Sequence, residues 1–254
     1  LKEKRGGGKM KVKRYILIIS VLSILSLPFA VGAWETDVIK TKKGALKITF
    51  IGHASLCMEY MGMVIHVDPV SQYGDYTRLP KGDVILVTHE HFDHFDPRTI
   101  DIVKKKGTLV IGNVKVGRLL SGVQIMRNGE EKVVAGIKIT AVPAYNVVNF
   151  RSPGVPYHPK GEGNGYILNF DGTRVYIAGD TENTPEMKAL KGIDIAFLPM
   201  NLPYTMSPEM VADAARAFRP RILYPYHYGD TDVGTLIELM KSEKDIEVRI
   251  RAMK

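Results

Sequence analysis

The apolar run Val84-Ile85-Leu86-Val87 leads directly into Thr88-His89-Glu90-His91-Phe92-Asp93-His94. Three imidazoles and a carboxylate within six residues are far from chance spacing in a chain with 7 histidines. At a strand end His89 and His91 lie two apart and can point the same way, and a turn then lets Asp93 and His94 reach a second position. Imidazole and carboxylate ligate zinc at about 2.0–2.2 Å, and a crowd of histidines is tolerated at a metal because each coordinates as the neutral ring. Two later strand ends add donors. Ile177-Ala178-Gly179-Asp180-Thr181 delivers a carboxylate whose two oxygens can bridge two cations, and Leu223-Tyr224-Pro225-Tyr226-His227 delivers another imidazole. Taken singly, Asp180 reads as a turn or cap residue and His227 as a structural histidine; beside the His-rich motif both read as ligands.

Short strands must position these groups. Leu46–Ile51, Ser55–Tyr60, Val64–Val67 and Val84–Thr88 are bounded by Gly, Pro or Asp, as half-buried strands are. Asp96-Pro97 is a cap and first-turn proline pair that starts a helix over Arg98–Lys106, with a weaker helix over Val114–Leu120. Strands follow at Val123–Met126, Lys132–Val134 and Ile137–Val142, then a loop rich in Pro, Gly and Asn. Tyr166–Phe170 and Arg174–Ala178 form a hairpin around Asp171-Gly172. The remainder reads as helix from Pro185, strand Ile193–Leu198, helix from Ser207-Pro208-Glu209, strand Ile222–Tyr224, helix Val233–Met240 and strand Glu247–Ile250. Strands first and helix–strand units later, in each half, suit two sheets packed face to face with helices outside.

The motif T-H-x-H-x-D-H after a strand, a late G-D-T and a strand-end histidine near the C-terminus resemble the metallo-β-lactamase superfamily, in an order that covers nearly the whole chain after residue 33. Gly52-His53-Ala54-Ser55-Leu56 with Asp68-Pro69 is similar to the branch of ascorbate-phosphate lactonase and related metal-dependent hydrolases. The resemblance implies an α+β fold, a four-layer αββα sandwich with its metal site at one edge. It implies that His89 and His91 hold one metal, that Asp93, His94 and His227 hold a second, and that Asp180 bridges them. A hydroxide held between two divalent ions, zinc or else manganese or iron, would then be the nucleophile, with Asp93 in the catalytic centre. The chain departs from the family pattern after its middle strand, where Val142-Pro143-Ala144-Tyr145-Asn146 lacks a histidine; His158 is the replacement expected. His53 and Asp68 are expected behind the ligands, Asp68 hydrogen-bonding the histidine loop. Tyr145, Lys160 and Tyr226 are candidate substrate contacts, Lys160 as a cation for a phosphate or carboxylate. His66 and Cys57 read as structural.

The function expected is a secreted metal-dependent hydrolase of a lactone, amide, ester or phosphodiester. The alternatives are an iron-dependent oxygenase or oxidoreductase on the same fold, or a non-catalytic secreted binding protein. Di-iron relatives usually place a glutamate where this chain has His91. The 254 residues, 45% of them apolar, support a sizeable core, and 1 cysteine excludes a disulfide framework. The net charge of +8 would suggest nucleic acid or anionic lipid. Residues 1–33, however, carry seven Lys or Arg and one acid, so the remainder has a net charge of only +2. Basic residues up to Arg14, the apolar run Tyr15–Leu27 and Val31-Gly32-Ala33 have the form of a secretory signal cleaved near Ala33. Residues 1–33 are therefore expected to be leader and signal, and 34–254 a single domain, exported to the periplasm or outside the cell. A small-molecule substrate is expected, with no nucleic-acid partner and no membrane contact except through the uncleaved signal.

Overall fold

Side-chain alternation in the strand before the histidine motif sets the layering. Val84 and Leu86 join the apolar core between two sheets, whereas Ile85 and Val87 pack with Ile100, Val103 and Val116 on the other face. The computed structural model describes residues 34–254, and the expected signal lies outside the described residues. In chain order the first half supplies β1 (Thr36–Lys40), β2 (Ala45–Gly52), β3 (Ser55–Tyr60), β4 (Met63–Val67), β5 (Gly82–Leu86), α1 (Pro97–Val103), β6 (Lys104–Gly112), α2 (Val114–Leu119) and β7 (Gln124–Ile125). The second half supplies β8 (Glu131–Val134), β9 (Ile137–Ala144), β10 (Phe150–Ser152), β11 (Val155–Pro156), β12 (Gly163–Phe170) and β13 (Thr173–Ile177). It closes with α3 (Pro185–Lys188), β14 (Ile195–Pro199), α4 (Pro208–Phe218), β15 (Ile222–Tyr226), α5 (Val233–Met240) and β16 (Glu247–Val248).

One seven-stranded sheet runs β1 to β7 in order, and the other runs β16-β15-β14-β13-β12-β9-β8. Helices α1 and α2 cover the outer face of the first sheet, and residues of α4 and α5, including Val211, Ala215 and Leu236, close the core on the second. This is the αββα sandwich. In each sheet antiparallel hairpins precede parallel strands, and it is the C-terminal ends of the parallel strands β5, β13 and β15 that carry the histidine motif, Asp180 and His227.

The helix starts follow capping chemistry. Asp96, Ser207 and Asp232 each accept a backbone N–H of the first turn, and Pro97 and Pro208 occupy positions that lack an intrahelical donor role. The helix expected over Arg98–Lys106 ends at Val103, and Lys104–Gly112 is a strand. Leu109, Val110 and Ile111 find parallel partners in β5, and that pairing outweighs the helix propensity of the three lysines. Strand β1 was not expected from the sequence, and the loop after β9 contains the short β10–β11 hairpin, which pairs with neither large sheet.

Candidate metal centre

Three strand ends, the β2–β3 turn and the β11–β12 loop converge on one edge of the sandwich. His89 Nε2 and His158 Nε2 lie 3.0 and 3.3 Å from His91 Nδ1. Asp180 Oδ2 lies 3.3 Å from His158 Nε2 and 3.8 Å from His89 Nε2. A tetrahedral ion with bonds of about 2.0–2.1 Å has ligand–ligand edges of roughly 3.3–3.4 Å, so these four donors are spaced as such a site requires. On the other side of Asp180, His94 Nε2 is 3.2 Å from Oδ1 and His227 Nε2 is 3.4 Å from Oδ2. Asp93 Oδ2 is 3.5 Å from His227 Nε2 and 3.2 Å from His53 Nε2. Two donor sets result, one of His89, His91 and His158 and one of His53, Asp93, His94 and His227, with Asp180 between them.

Whether these residues suit a metal can be judged from their own hydrogen bonds. His94 Nε2, Asp180 Oδ1 and His227 Nε2 are buried and have no hydrogen-bond partner among the described residues. Buried polar atoms are normally satisfied, and orphans that converge on one point fit a cation there. The outer ring nitrogens of His94, His89 and His158 are held by protein, whereas His227 Nδ1 has no hydrogen-bond partner among the described residues. His94 Nδ1 donates to Asp68 Oδ2 at 2.8 Å, and Thr88 donates to the same carboxylate through N–H at 2.8 Å and Oγ1 at 2.7 Å. His89 Nδ1 is 3.1 Å from Thr88 Oγ1, which can accept its proton. His158 Nδ1 donates to Asn146 Oδ1 at 2.8 Å. With Nδ1 protonated, His89 and His158 each turn an Nε2 lone pair inward, the tautomer a ligand needs, and His94 holds its Nδ1 proton on Asp68 so that Nε2 is the nitrogen that yields its proton to a cation.

Electrostatics agree with that division. Burial holds His89 well below the ordinary imidazole range and His158 down to about 4, so both rings are neutral at pH 7. Burial opposes charge on His94 too, but the Asp180 and Asp68 carboxylates override it and raise its pKa. Burial pushes Asp180 and Asp93 upward, and the surrounding histidines, His227 foremost, hold both well below the carboxylate range. The centre thus keeps two anions, the neutral rings of His89 and His158, and a His94 that holds its proton until a cation takes its place.

Three residues of the centre adopt a left-handed backbone. His53, Asp68 and His227 adopt φ of 53°, 43° and 48°. Left-handed non-glycine residues cost of order 1–3 kcal/mol each and persist where surrounding structure over-determines them. Gly179, at φ 65°, lets the β13 end approach the histidine loop, since a Cβ there would lie 2.7 Å from Asn164 O and 3.1 Å from Thr88 Cβ.

The structure brings His89, His91, Asp93, His94, His158, Asp180 and His227 together, with His53 beside Asp93 and Asp68 behind the histidine loop. It does not bring the three candidate substrate contacts to the cavity. Tyr226 is fully buried, and its hydroxyl accepts the Gly179 N–H at 2.8 Å, so it braces the β13 turn. Tyr145 donates to Glu186 at 2.7 Å, and Lys160 pairs with the same carboxylate at 2.7 Å, which ties both to the start of α3. The residues that do line the cavity of about 470 Å³ beside the donors include Phe92, Arg151, Tyr157, Asn201 and Tyr204. Sequence reasoning passed over Arg151 and Glu182. Glu182 is fully buried, and its carboxylate accepts from Asn146 Nδ2 at 3.0 Å and from the N–H groups of Val147, Val148 and Asn149 at 2.6–2.8 Å. Its place directly after Asp180-Thr181 was the available signal.

The chain matches the Beta-lactamase superfamily domain over residues 47–227, a span that contains every donor named above. It is 30% identical over 236 residues to a UPF0173 metal-dependent hydrolase of Rubrobacter xylanophilus, covering 83% of this chain and 95% of the relative. Among solved structures, a Parabacteroides distasonis protein designated a metal-dependent hydrolase is 52% identical with a TM-score of 0.83, over 87% of this chain and 100% of that one. Igni18, a metallo hydrolase from Ignicoccus hospitalis, is 25% identical with a TM-score of 0.67, over 82% of this chain and 95% of that one. With a clustered His and Asp donor set, and with likeness of this extent along most of its length, the chain belongs to the beta-lactamase superfamily as one of its metal-dependent hydrolases.

Proposed function

We propose that this hydrolase works with two divalent metal ions, zinc above manganese or iron, on a lactone, amide, ester or phosphodiester bond of a small molecule. The observation that supports it is the position of Asp180 between two donor sets, with one oxygen 3.3 Å from His158 and the other 3.2 Å from His94. In this reading His89, His91 and His158 would hold one ion and Asp93, His94 and His227 the other, with Asp180 available to both. Bound there, divalent metal supplies Lewis-acid polarisation of the scissile oxygen and a nucleophilic water at neutral pH. The chain's own residues do the rest. Asp68 and Thr88 keep the protons of His94 and His89 on the outward nitrogens. Asn146, itself gripped by Glu182, does the same for His158. Asp93 stays an anion across the neutral range and is oriented by His53 at 3.2 Å, so it can bind a cation or accept a hydrogen bond.

The low net charge outside residues 1–33 supports a small-molecule substrate over nucleic acid. The basic and apolar composition of residues 1–33 supports export, with cleavage near Ala33. N-terminal sequencing of secreted material checks the cleavage near Ala33; a sequence beginning upstream of Met10 would refute it. Metal quantification on purified protein, followed by a panel of lactones, esters, phosphodiesters and β-lactams, checks the chemistry. Two equivalents of zinc, with turnover abolished in His91→Ala and Asp93→Ala proteins that still fold, are expected. Stoichiometric iron with thiol-dependent oxygen uptake would overturn the hydrolytic reading.

A further inference from the structure

The cavity beside the donors is lined by the aromatic rings of Phe92, Tyr157 and Tyr204 as well as by the donors, and Phe92 is 79% exposed. Further apolar side chains stand in solvent on the same segments: Phe150 and Val155 on the β10–β11 hairpin and Leu202 beside Tyr204. Exposed apolar surface concentrated at the mouth of a cavity marks a place where an apolar body is to be covered. The hairpin adds Arg151, the one lysine or arginine among the described residues that lines the cavity.

Arg151 differs from the cations nearby. Lys160 sits on Glu186 at 2.7 Å, and Lys115 pairs with Glu90 and Glu162 at 2.9 and 2.7 Å. Arg151 has no ion pair and no side-chain hydrogen bond among the described residues. Its guanidinium lies instead 5.5 Å over the Tyr157 ring, and Tyr157 packs edge-to-face on Tyr204 with centroids 5.1 Å apart. Stacking on an aromatic face holds a guanidinium in place while leaving its five N–H donors free for a planar or tetrahedral oxyanion.

From this juxtaposition we propose that the substrate is an amphiphile, with a terminal oxyanion (carboxylate or phosphate) taken by Arg151 and an apolar body laid between Phe92, Tyr157 and Tyr204, its scissile group reaching the Asp180 edge. Arg151 is then a specificity-determining residue that acts at the end of the substrate remote from the reacting bond. This rests on the hydrolytic reading only for the position of the scissile group; recognition of the anion stands on Arg151 alone.

The experiment measures binding, by calorimetry on the metal-loaded full chain, of three probes that share one apolar body: 4-phenylbutyrate, 3-phenylpropyl phosphate and neutral 4-phenylbutanamide. At least one anion is expected to bind about 10- to 100-fold more tightly than the amide, as a charge-assisted contact does, and the better anion identifies the source. Arg151→Met should collapse that preference to within about threefold, whereas Arg151→Lys, which keeps the charge but not the planar stack, should retain part of it. Equal binding of all three probes, or an anion preference unaltered in Arg151→Met, as when the anion sits on the metal, would overturn the proposal. If the preference depends on Arg151 but no ester, lactone, amide or phosphodiester of these amphiphiles is turned over, the hydrolytic reading fails and the anion site stands.

Discussion

Asp68→Asn tests how the centre is held. Asp68 is fully buried, and its carboxylate accepts three hydrogen bonds, from Thr88 N–H, Thr88 Oγ1 and His94 Nδ1, at 2.7–2.8 Å. Its left-handed φ of 43° suits asparagine as well as aspartate, so the backbone has no reason to move. If the amide oxygen keeps the Thr88 N–H, the amide nitrogen becomes a donor facing His94 Nδ1. The imidazole then loses its Nδ1 proton and keeps only the one on Nε2, the atom that points at Asp180 Oδ1 from 3.2 Å. In the parent an ion displaces the Nε2 proton while Asp68 holds the one on Nδ1, whereas in the variant no acceptor is left to hold a proton on Nδ1. Loss of a charge-assisted hydrogen bond of about 1.5–3 kcal/mol corresponds to a metal affinity lower by roughly 10- to 100-fold. The metal-free protein loses less, about 1 kcal/mol, because one hydrogen bond is lost there and no ion depends on the Nδ1 proton. Competition against a chromogenic chelator gives the affinity, and thermal denaturation of the metal-free protein gives the stability. Unchanged affinity would refute the reasoning, and so would a stability loss in the metal-free protein as large as the loss in binding.

Three further outcomes follow from residues around the centre and in the frame. Glu182→Gln sets an amide NH₂ against two of four N–H donors in a fully buried site, so the metal-free protein should lose about 1–3 kcal/mol in denaturant melts, and His158 imidazole resonances should shift in NMR spectra. Asp37 joins β1 to the C-terminal tail through both Nη2 contacts of Arg251, at 2.7 and 2.8 Å, and through Arg249 and Tyr224. Burial pushes its pKa up, but Tyr224 and Arg251 override that and hold it below the ordinary 3.8. Stability from a depressed carboxylate is present above the unfolded value and lost as pH falls through the folded one. Asp37→Asn should therefore cost about 1–2 kcal/mol at pH 7, and the gap to the parent should close on acidification below pH 3.8. A gap that does not change with pH would show that packing, not charge, accounts for the loss. Cys57 is buried, and burial pushes its thiol up to about 12, so it should ignore a disulfide reagent at pH 8 until the chain unfolds. Rapid labelling of the native protein would contradict its place in the core.

Local chemistry determined a good deal of this protein. The histidine motif follows an apolar strand because a strand end is where backbone pairing stops and side chains can converge. His89 and His91 are two apart, Asp180 and His227 close other strands, and capping pairs such as Asp96-Pro97 and Ser207-Pro208 mark helix starts. These signals act over a few residues, so they can be read without the fold. What needed tertiary structure was everything set by partners distant in sequence. The lysine-rich segment after Val103 is a strand because β5 offers it a parallel edge. Tyr226, Tyr145 and Lys160 are chemically able to meet a substrate, but Gly179 and Glu186 occupy them first. Arg151, an ordinary residue in a Pro- and Gly-rich loop, faces the cavity because a hairpin outside both sheets carries it there and Tyr157 holds it. Residue type and spacing determine which side chains are able to bind metal. Long-range packing decides which polar groups are already satisfied and which remain free to act.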